Sequence, residues 1–397
     1  RSTRALSSAA SDVYKRQYQY IFYLTECLVI FMEKKSKIII LILAVLVICG
    51  VAAHLFLTPS TVETVGSKNI TDMVGRTVQI PASVGNVVAT SPPMTTVIYM
   101  IAPEKLTAVN FQWTDDELKY IPSQYAGLPV VGGWYGTQDG SYEEFIASEP
   151  DMVIESIDEG GNGDLATVQE RQDKFGEIPV VAVNDTTDVE KVDGSITFIG
   201  DVLGAQDNAK KLTDFNDKYL NIVHQKSGQI TDKKTVYYAQ GNDGLQTNPS
   251  NSTHGQLIDL VGGENVANSL AQGNTTSGIQ VSMEQIIKWN PDVIITTNPD
   301  FYGKVYDNPN WAGITAVKNH DVYLSPQSPF KWFDRPVGAN MIIGIPWTAK
   351  CIYPDQYQDI DMVSTTQEFY SEFYHFDLSD EQAKQMLIDS GLKESNL

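Results

Sequence analysis

EEFIASEPDMVIES, residues 143–156, and EQIIKWNPDVIITT, residues 284–297, are two copies of one pattern. Each opens on a glutamate (Glu143, Glu284), places an isoleucine three residues later (Ile146, Ile287) and reaches a Pro-Asp pair after four more (Pro150-Asp151, Pro291-Asp292). Helical spacing ahead of the proline and a β-branched apolar run behind it spell a short helix, a turn and a buried strand. A matched pair of such modules, one in each half of the chain, points to two lobes of the same construction.

Working outward from the first copy, strands are expected at Val87–Thr90, Leu106–Val109, Val130–Val131, Met152–Glu155 and Val180–Val183, and helices at Met94–Ile101, Tyr142–Ser148 and Leu165–Phe175. Around the second copy, strands are expected at Thr235–Ala239, Val293–Thr297 and Val322–Leu324, with helices near Gln256–Val261, Met283–Trp289 and Gly338–Cys351. This alternation predicts α/β lobes with mostly parallel sheets. Between them Ala209, Leu212, Phe215, Tyr219 and Val223 recur on one face of a predicted helix from Asp207 to Lys226, long enough to span ~30 Å between lobes. The expected organisation is an N-terminal lobe over 71–193, a connecting helix within 194–228, and a C-terminal lobe over 229–397. That last lobe carries extra helices, the final one opened by a Ser379/Gln382 capping box, and both are expected to pack on the second lobe.

The N-terminus reads differently. Residues 1–31, with the run SSAASDVYKRQ, match neither a targeting nor a folding pattern and are taken as a non-native leader. In 32–58, Lys34, Lys35 and Lys37 precede an apolar run from Ile38 to Leu57, the pattern of a transmembrane signal anchor with its N-terminus in the cytoplasm. A cleaved signal, or lipidation at Cys49, is the competing account, although Ile48 stands where a lipidation motif needs a small residue. Residues 59–70 are a polar tether, and the folded part is expected outside the cytoplasm.

Charge and cysteine narrow the function. The chain holds 28 Lys+Arg and 49 Asp+Glu, a net −21; the first 58 residues contain seven of the basic and three of the acidic ones, so the remainder carries −25. Such a surface repels phosphate backbones, which removes electrostatic nucleic-acid binding. Only Cys351 lies beyond the apolar segment, too few thiols for a disulfide framework or a cysteine-ligated metal centre.

Seven segments, ITDMVGRTVQIP (70–81), VVATSPP (87–93), APEKLTAV (102–109), FIGDVLGAQDNA (198–209), LIDLVGGENVA (257–267) and the two Pro-Asp modules, in their order along the chain resemble the substrate-binding proteins of ABC importers for ferric siderophores, haem and vitamin B12. The resemblance spans about residues 70–388. It implies two α/β lobes joined by one rigid helix, a ligand cleft between them, and an iron or cobalt chelate as cargo. It also implies Glu143 and Glu284 as docking carboxylates for an ABC permease dimer with its cytoplasmic ATPase, the binding protein itself being a monomer. A first-turn carboxylate that serves its own helix dipole is the structural alternative for both.

Loops at the carboxyl ends of strands are where a ligand is expected in such folds. They offer Trp134 and Tyr135 in the first lobe, and Tyr302, Lys331, Trp332, Phe333 and Arg335 in the second. Aromatic rings supply contact area at small entropy cost, and a guanidinium binds carboxylates bidentately. Arg335 is alternatively a loop-ordering partner of Asp334. Four scattered histidines beyond residue 59 form no site for a bare metal; His254, in a polar loop, is kept as a candidate contact to a chelate. No catalytic motif or resident cofactor is indicated, so a binding module is favoured over a chelatase-like enzyme or a surface sensor or adhesion protein built on the same fold.

Overall fold

The computed structural model describes residues 66–136, 138–157, 164–270 and 278–397. The leader, the 32–58 anchor and most of the tether lie outside them. Among the described residues no helix is long and apolar enough to cross a membrane.

An antiparallel hairpin, β1 (Ser67–Thr71) with β2 (Thr77–Pro81), leads into a parallel sheet of β3 (Val87–Ala89), β4 (Met152–Ile157) and β5 (Val180–Asn184), side by side in that order. The strands expected at 106–109 and 130–131 shrink to single bridges, Val87 with Leu106 and Val109 with Val130. Pro129 supplies a carbonyl to Val109 but has no N–H with which to lengthen the ladder.

In the second lobe β6 (Thr235–Ala239), β7 (Gln246–Thr247), β8 (Glu264–Asn265), β9 (Ile279–Gln280), β10 (Val293–Thr296) and β11 (Val322–Leu324) follow in sequence. Four of them make a parallel sheet in the order β11-β10-β6-β8, while β7 and β9 pair antiparallel. The expected α/β lobes are present, and the central strands β3, β4, β5, β6 and β10 are buried on both faces, as parallel strands covered by helices must be.

The repeated modules show why each carries Pro-Asp. Ser141 and Ser282 cap the helices Tyr142–Ala147 and Met283–Trp289. The aspartate after each proline then pins the strand next door. Asp151 accepts the amides of Gly85 and Asn86, each at 2.8 Å, just ahead of β3, and Asp292 accepts the amide and hydroxyl of Thr235 at 2.9 and 2.8 Å at the head of β6. One side chain thus fixes strand register in each lobe.

The connecting helix runs Gln206–Ser227, 22 residues and roughly 33 Å long. The helix Val192–Leu203 packs against it where Gly200 lets Ala209 approach; a Cβ on Gly200 would stand 2.5 Å from that of Ala209. The C-terminal helices, Met362–Phe373 and Asp380–Asp389, differ from expectation. Phe369 and Phe373 pack tilted and edge-on against Phe215 of the connecting helix, Tyr219 shares a 2.7 Å hydrogen bond with Thr365, and Tyr374 and His375 reach Tyr99 of the first lobe. A single apolar core therefore runs through both lobes, the connector and the extension. The aromatic face of Met362–Phe373 needs more apolar surface than one lobe offers.

Candidate functional site

Three parts of the second lobe converge on Asp334, which has no exposed surface. Its Oδ2 accepts the Tyr238 hydroxyl at 2.6 Å and the Gln240 amide at 3.3 Å, from the end of β6. Its Oδ1 lies 2.6 Å from His254 Nδ1, just ahead of the helix Gln256–Leu260, and accepts the Arg335 backbone amide at 2.7 Å. Burial, reinforced by the neighbouring carboxylate, pushes the Tyr238 phenol far above its usual range, so it remains a donor to Asp334.

The loop that carries Asp334 buries Phe330, Trp332, Phe333 and Asp334 and leaves Lys331 and Arg335 nearer the surface. Ser325 Oγ accepts the amides of Trp332 and Phe333 at 3.2 and 3.1 Å and folds the loop back on β11. Trp332 and Phe333 are then fully buried, Phe333 against Tyr238 and Trp347, and Trp332 against Tyr370. Neither offers surface to a ligand, so both act as anchors of the loop. Their expected ligand role gives way because an apolar ring placed beside an existing core gains more by joining it.

Lys331 and Arg335 point the other way. Lys331 is half-buried and its ammonium is held below the usual lysine range, chiefly by burial and also by Arg335, while Asp334 and first-lobe Glu117 oppose that shift. Arg335 keeps 46% of its side chain exposed, with Nε 3.7 Å from Asp334 Oδ2, a loose contact that leaves much of the guanidinium fork free. Its φ of +59° is one of five positive values among the described non-glycine residues, and it turns the side chain away from the Trp332–Phe333 anchor.

These groups sit at the face between the lobes. Phe330 packs edge-on to first-lobe Tyr99 and Trp113, with centroids 5.6 and 5.7 Å apart, and Gln256 bridges to the first lobe through Thr187 O and Val189 N. In the first lobe Thr95 and Asn110 join at 2.6 Å, and among the described residues the buried Ser91 hydroxyl has no hydrogen-bond partner, Pro93 having no N–H to offer it. Sequence reasoning placed Gln240 and Phe330 in loops expected to face the cleft and missed Tyr238 and Trp113, which lie in a strand and a loop without a distinguishing pattern. It placed Asp334 in the same loop and weighed it as a partner of Arg335.

The other expected contacts scatter. Trp134 stacks on Tyr142 and Phe145 in the first-lobe core, with the Arg171 guanidinium 3.8 Å over its ring. Tyr135 is half-buried against the interlobe core. Tyr302 packs on the second-lobe cluster, its phenol raised mainly by burial and then by Asp389 and Cys351, outside the Asp334 group. Among the described residues no three His, Cys, Asp or Glu side chains are placed to hold a metal ion.

Glu143 and Glu284 are exposed on their helices. The Glu284 carboxyl is held below its usual range by its own backbone amide and then by the Ser282 hydroxyl, so it stays ionised. Beside each stands a bare apolar group, Ile146 at 43% and Ile287 at 56% exposure. The repeat therefore presents one Glu-Ile pair per lobe.

Two parallel-sheet lobes, a single connecting helix and a polar cluster at their junction define a solute-binding protein. Residues 87–329 match the periplasmic binding protein family, to which the chain belongs; the family binds solutes for ABC importers. The chain is similar to a solute-binding protein of Sulfurospirillum deleyianum, 30% identical, covering 80% of this chain and 98% of that one at a TM-score of 0.73. It is 24% identical over 326 residues to the molybdate-binding protein MolA of Haemophilus influenzae, 77% of this chain and 90% of MolA. A third relative, 26% identical over 228 residues, is the substrate-binding lipoprotein YvrC of Bacillus subtilis, spanning 56% of this chain and 68% of YvrC.

Proposed function

We propose that this protein captures an anionic, oxygen-ligated metal complex outside the cytoplasm and hands it to an ABC permease. The observation that carries this is the outward pair Lys331 and Arg335, the cations that flank buried Asp334 at the lobe–lobe face of a chain otherwise strongly acidic. A ligand seated there exchanges water for two charge-assisted contacts. Relatives carry the names of molybdate and iron(3+)-hydroxamate binding proteins, and an oxygen-ligated metal is common to both. An iron or cobalt chelate and a metal oxyanion are the two members of the class.

Thermal shift of the purified protein against sodium molybdate, ferric tris-catecholate, a ferric hydroxamate, haem and cobalamin, with free Zn²⁺ and Mn²⁺ as controls, separates them. An anionic complex should raise the melting temperature, and stabilisation by the free cations alone would sink the proposal.

Delivery rests on the matched Glu-Ile pairs. Glu143 with Ile146 and Glu284 with Ile287 suit a two-fold permease surface that offers one basic and one apolar patch to each lobe. Segment 32–58 ties the protein to the membrane, through its apolar run or through a lipid on Cys49. Membrane fractionation of wild type and Cys49→Ser distinguishes the two, because only a lipid tie is lost on removing the thiol.

A further inference from the structure

A cavity of about 370 Å³ opens beside the lobe junction, and none of Lys331, Asp334, Arg335 or His254 lines it. Its size falls within the ~300–1,000 Å³ usual for small-molecule pockets. Three separate parts of the chain wall it: the first-lobe turn Glu117–Tyr120 with Asp116 just ahead, the loop leaving β11 from Leu324 to Ser328, and the C-terminal helix Asp380–Asp389. Leu324, Pro326 and Met386 supply apolar surface. The Tyr120 ring is held edge-on by Tyr370 and Phe376, with centroids 5.8 and 5.6 Å apart, and its hydroxyl makes no hydrogen bond among the described residues.

Charge in the cavity is one-sided. Lys119 is committed to Asp116 at 2.6 Å, so Asp389 is left without a counterion among the described residues and accepts only the neutral Gln385 amide at 2.7 Å. Asp389 also stands in the last turn of its own helix, which holds no basic residue there, and the negative end of the helix dipole disfavours a carboxylate at that place. A cation brought into the cavity relieves both. The Tyr120 phenol lies within reach of that charge: burial raises it first, Lys119 opposes, and Asp389 and Asp116 add to the rise. At longer range the net charge of −21 draws cations toward the surface and repels anions.

We propose that this cavity is a second small-molecule site, which takes a primary amine on a short aromatic or aliphatic body, with its ammonium at Asp389 and its body between Tyr120 and Met386. The ammonium–carboxylate contact is a charge-assisted hydrogen bond, and the Tyr120 ring offers a cation a π face. The site is independent of the anionic-complex reading and stands or falls without it. An occupant touches the first-lobe turn, the β11 exit loop and the C-terminal helix together, and so braces the start of the loop that runs on to Lys331 and Arg335.

Phenethylamine is the probe, with neutral phenethyl alcohol and anionic 3-phenylpropionate as controls of similar shape. Titration of the purified protein, followed by saturation-transfer NMR, should show the amine binding at millimolar concentration and both controls at least about tenfold more weakly, the lower value of a hydrogen bond to a charged group. Asp389→Asn, which keeps the shape, should weaken the amine by the same about tenfold and leave the alcohol unchanged. Met386→Trp, which fills the cavity, should abolish binding of the amine. Asp389 is exposed, so its variant decides the matter even if Met386→Trp fails to fold. Lys119→Gln, which frees Asp116, should leave the amine bound as tightly or more so, and a loss there would place the ammonium elsewhere and overturn the assignment. Equal binding of the three probes, no binding of the amine at millimolar concentration, or undiminished amine binding by Asp389→Asn would likewise overturn the site.

Discussion

The hydroxyl of Tyr99, on the first-lobe helix Pro92–Ile101, donates to the backbone carbonyl of Tyr374 across 3.1 Å and ties that lobe to the C-terminal extension. The tie is buried and surrounded by rings: Trp113, Tyr125, Phe330 and His375 all meet Tyr99 edge-on or tilted. Burial carries the phenol well above its ordinary range, so it stays protonated and keeps donating. Tyr99→Phe should then cost about 0.5–1.5 kcal/mol, the net worth of one hydrogen bond, in urea unfolding. Tyr99→Ala should cost about 3–5 kcal/mol, because it also empties the ring's place. Equal losses for the two variants would deny the hydrogen bond any part.

His375 gives the extension a pH dependence. It reaches Tyr99 O at 2.8 Å, and burial holds its pKa below the usual histidine range, against the opposing pull of the Tyr99 carbonyl, Glu104 and Glu372. A histidine depressed in the folded state binds its proton more readily when unfolded, so stability falls as the pH drops below about 6.5. The melting temperature of wild type should decline through that window more steeply than that of His375→Gln. Parallel curves for the two would remove His375 as the source.

At the candidate site, Arg335→Ala should lower affinity for an anionic complex by roughly tenfold to a hundredfold, the worth of a charge-assisted hydrogen bond, and leave unfolding almost unchanged. The half-exposed side chain makes only a loose contact with Asp334, so its stability contribution is small. Calorimetric titration with the complex that gives the largest thermal shift checks the first part and urea unfolding the second. A stability loss without an affinity loss would make Arg335 a loop-ordering residue.

Phe333→Ala should do the reverse. With the ring fully buried against Tyr238 and Trp347, its removal should cost about 3–5 kcal/mol in denaturant unfolding. Any fall in ligand affinity should track the misplacement of Asp334 next to it, and a normal unfolding curve would show that the ring does not anchor the loop.

For delivery, Glu143→Arg with Glu284→Arg should abolish uptake in cells while ligand affinity of the purified protein is unchanged. Ile146→Asp with Ile287→Asp should reduce uptake to a similar degree without altering net charge in the same sense. Unchanged transport by both double variants would remove the docking proposal.

Much of the fold was legible because its signals are local. The Pro-Asp modules, the helical periodicity of Ala209 to Val223, and the Ser379/Gln382 capping box all lie within a few turns of chain, and each element stands where its pattern points. The site was only partly legible. Lys331, Arg335 and His254 attract notice as rare cations and donors in polar loops, but adjacency in sequence gave Trp332 and Phe333 the same weight as their neighbours. Burial separates them, and a loop without periodicity does not encode which side chains turn inward. Trp134 and Tyr302 fell to the same effect, each drawn into its own lobe's core.

The acidity of the chain and the two-lobed repeat follow from composition and short-range pattern alone, since they need only residue counts, hydrophobic spacing and turn chemistry. The convergence of Tyr238, Gln240 and His254 on Asp334, from positions up to 96 residues apart, was decided by tertiary structure. A buried carboxylate must collect its hydrogen-bond donors from whichever segments the packed core brings within 3 Å or so, and no stretch of sequence states that distance.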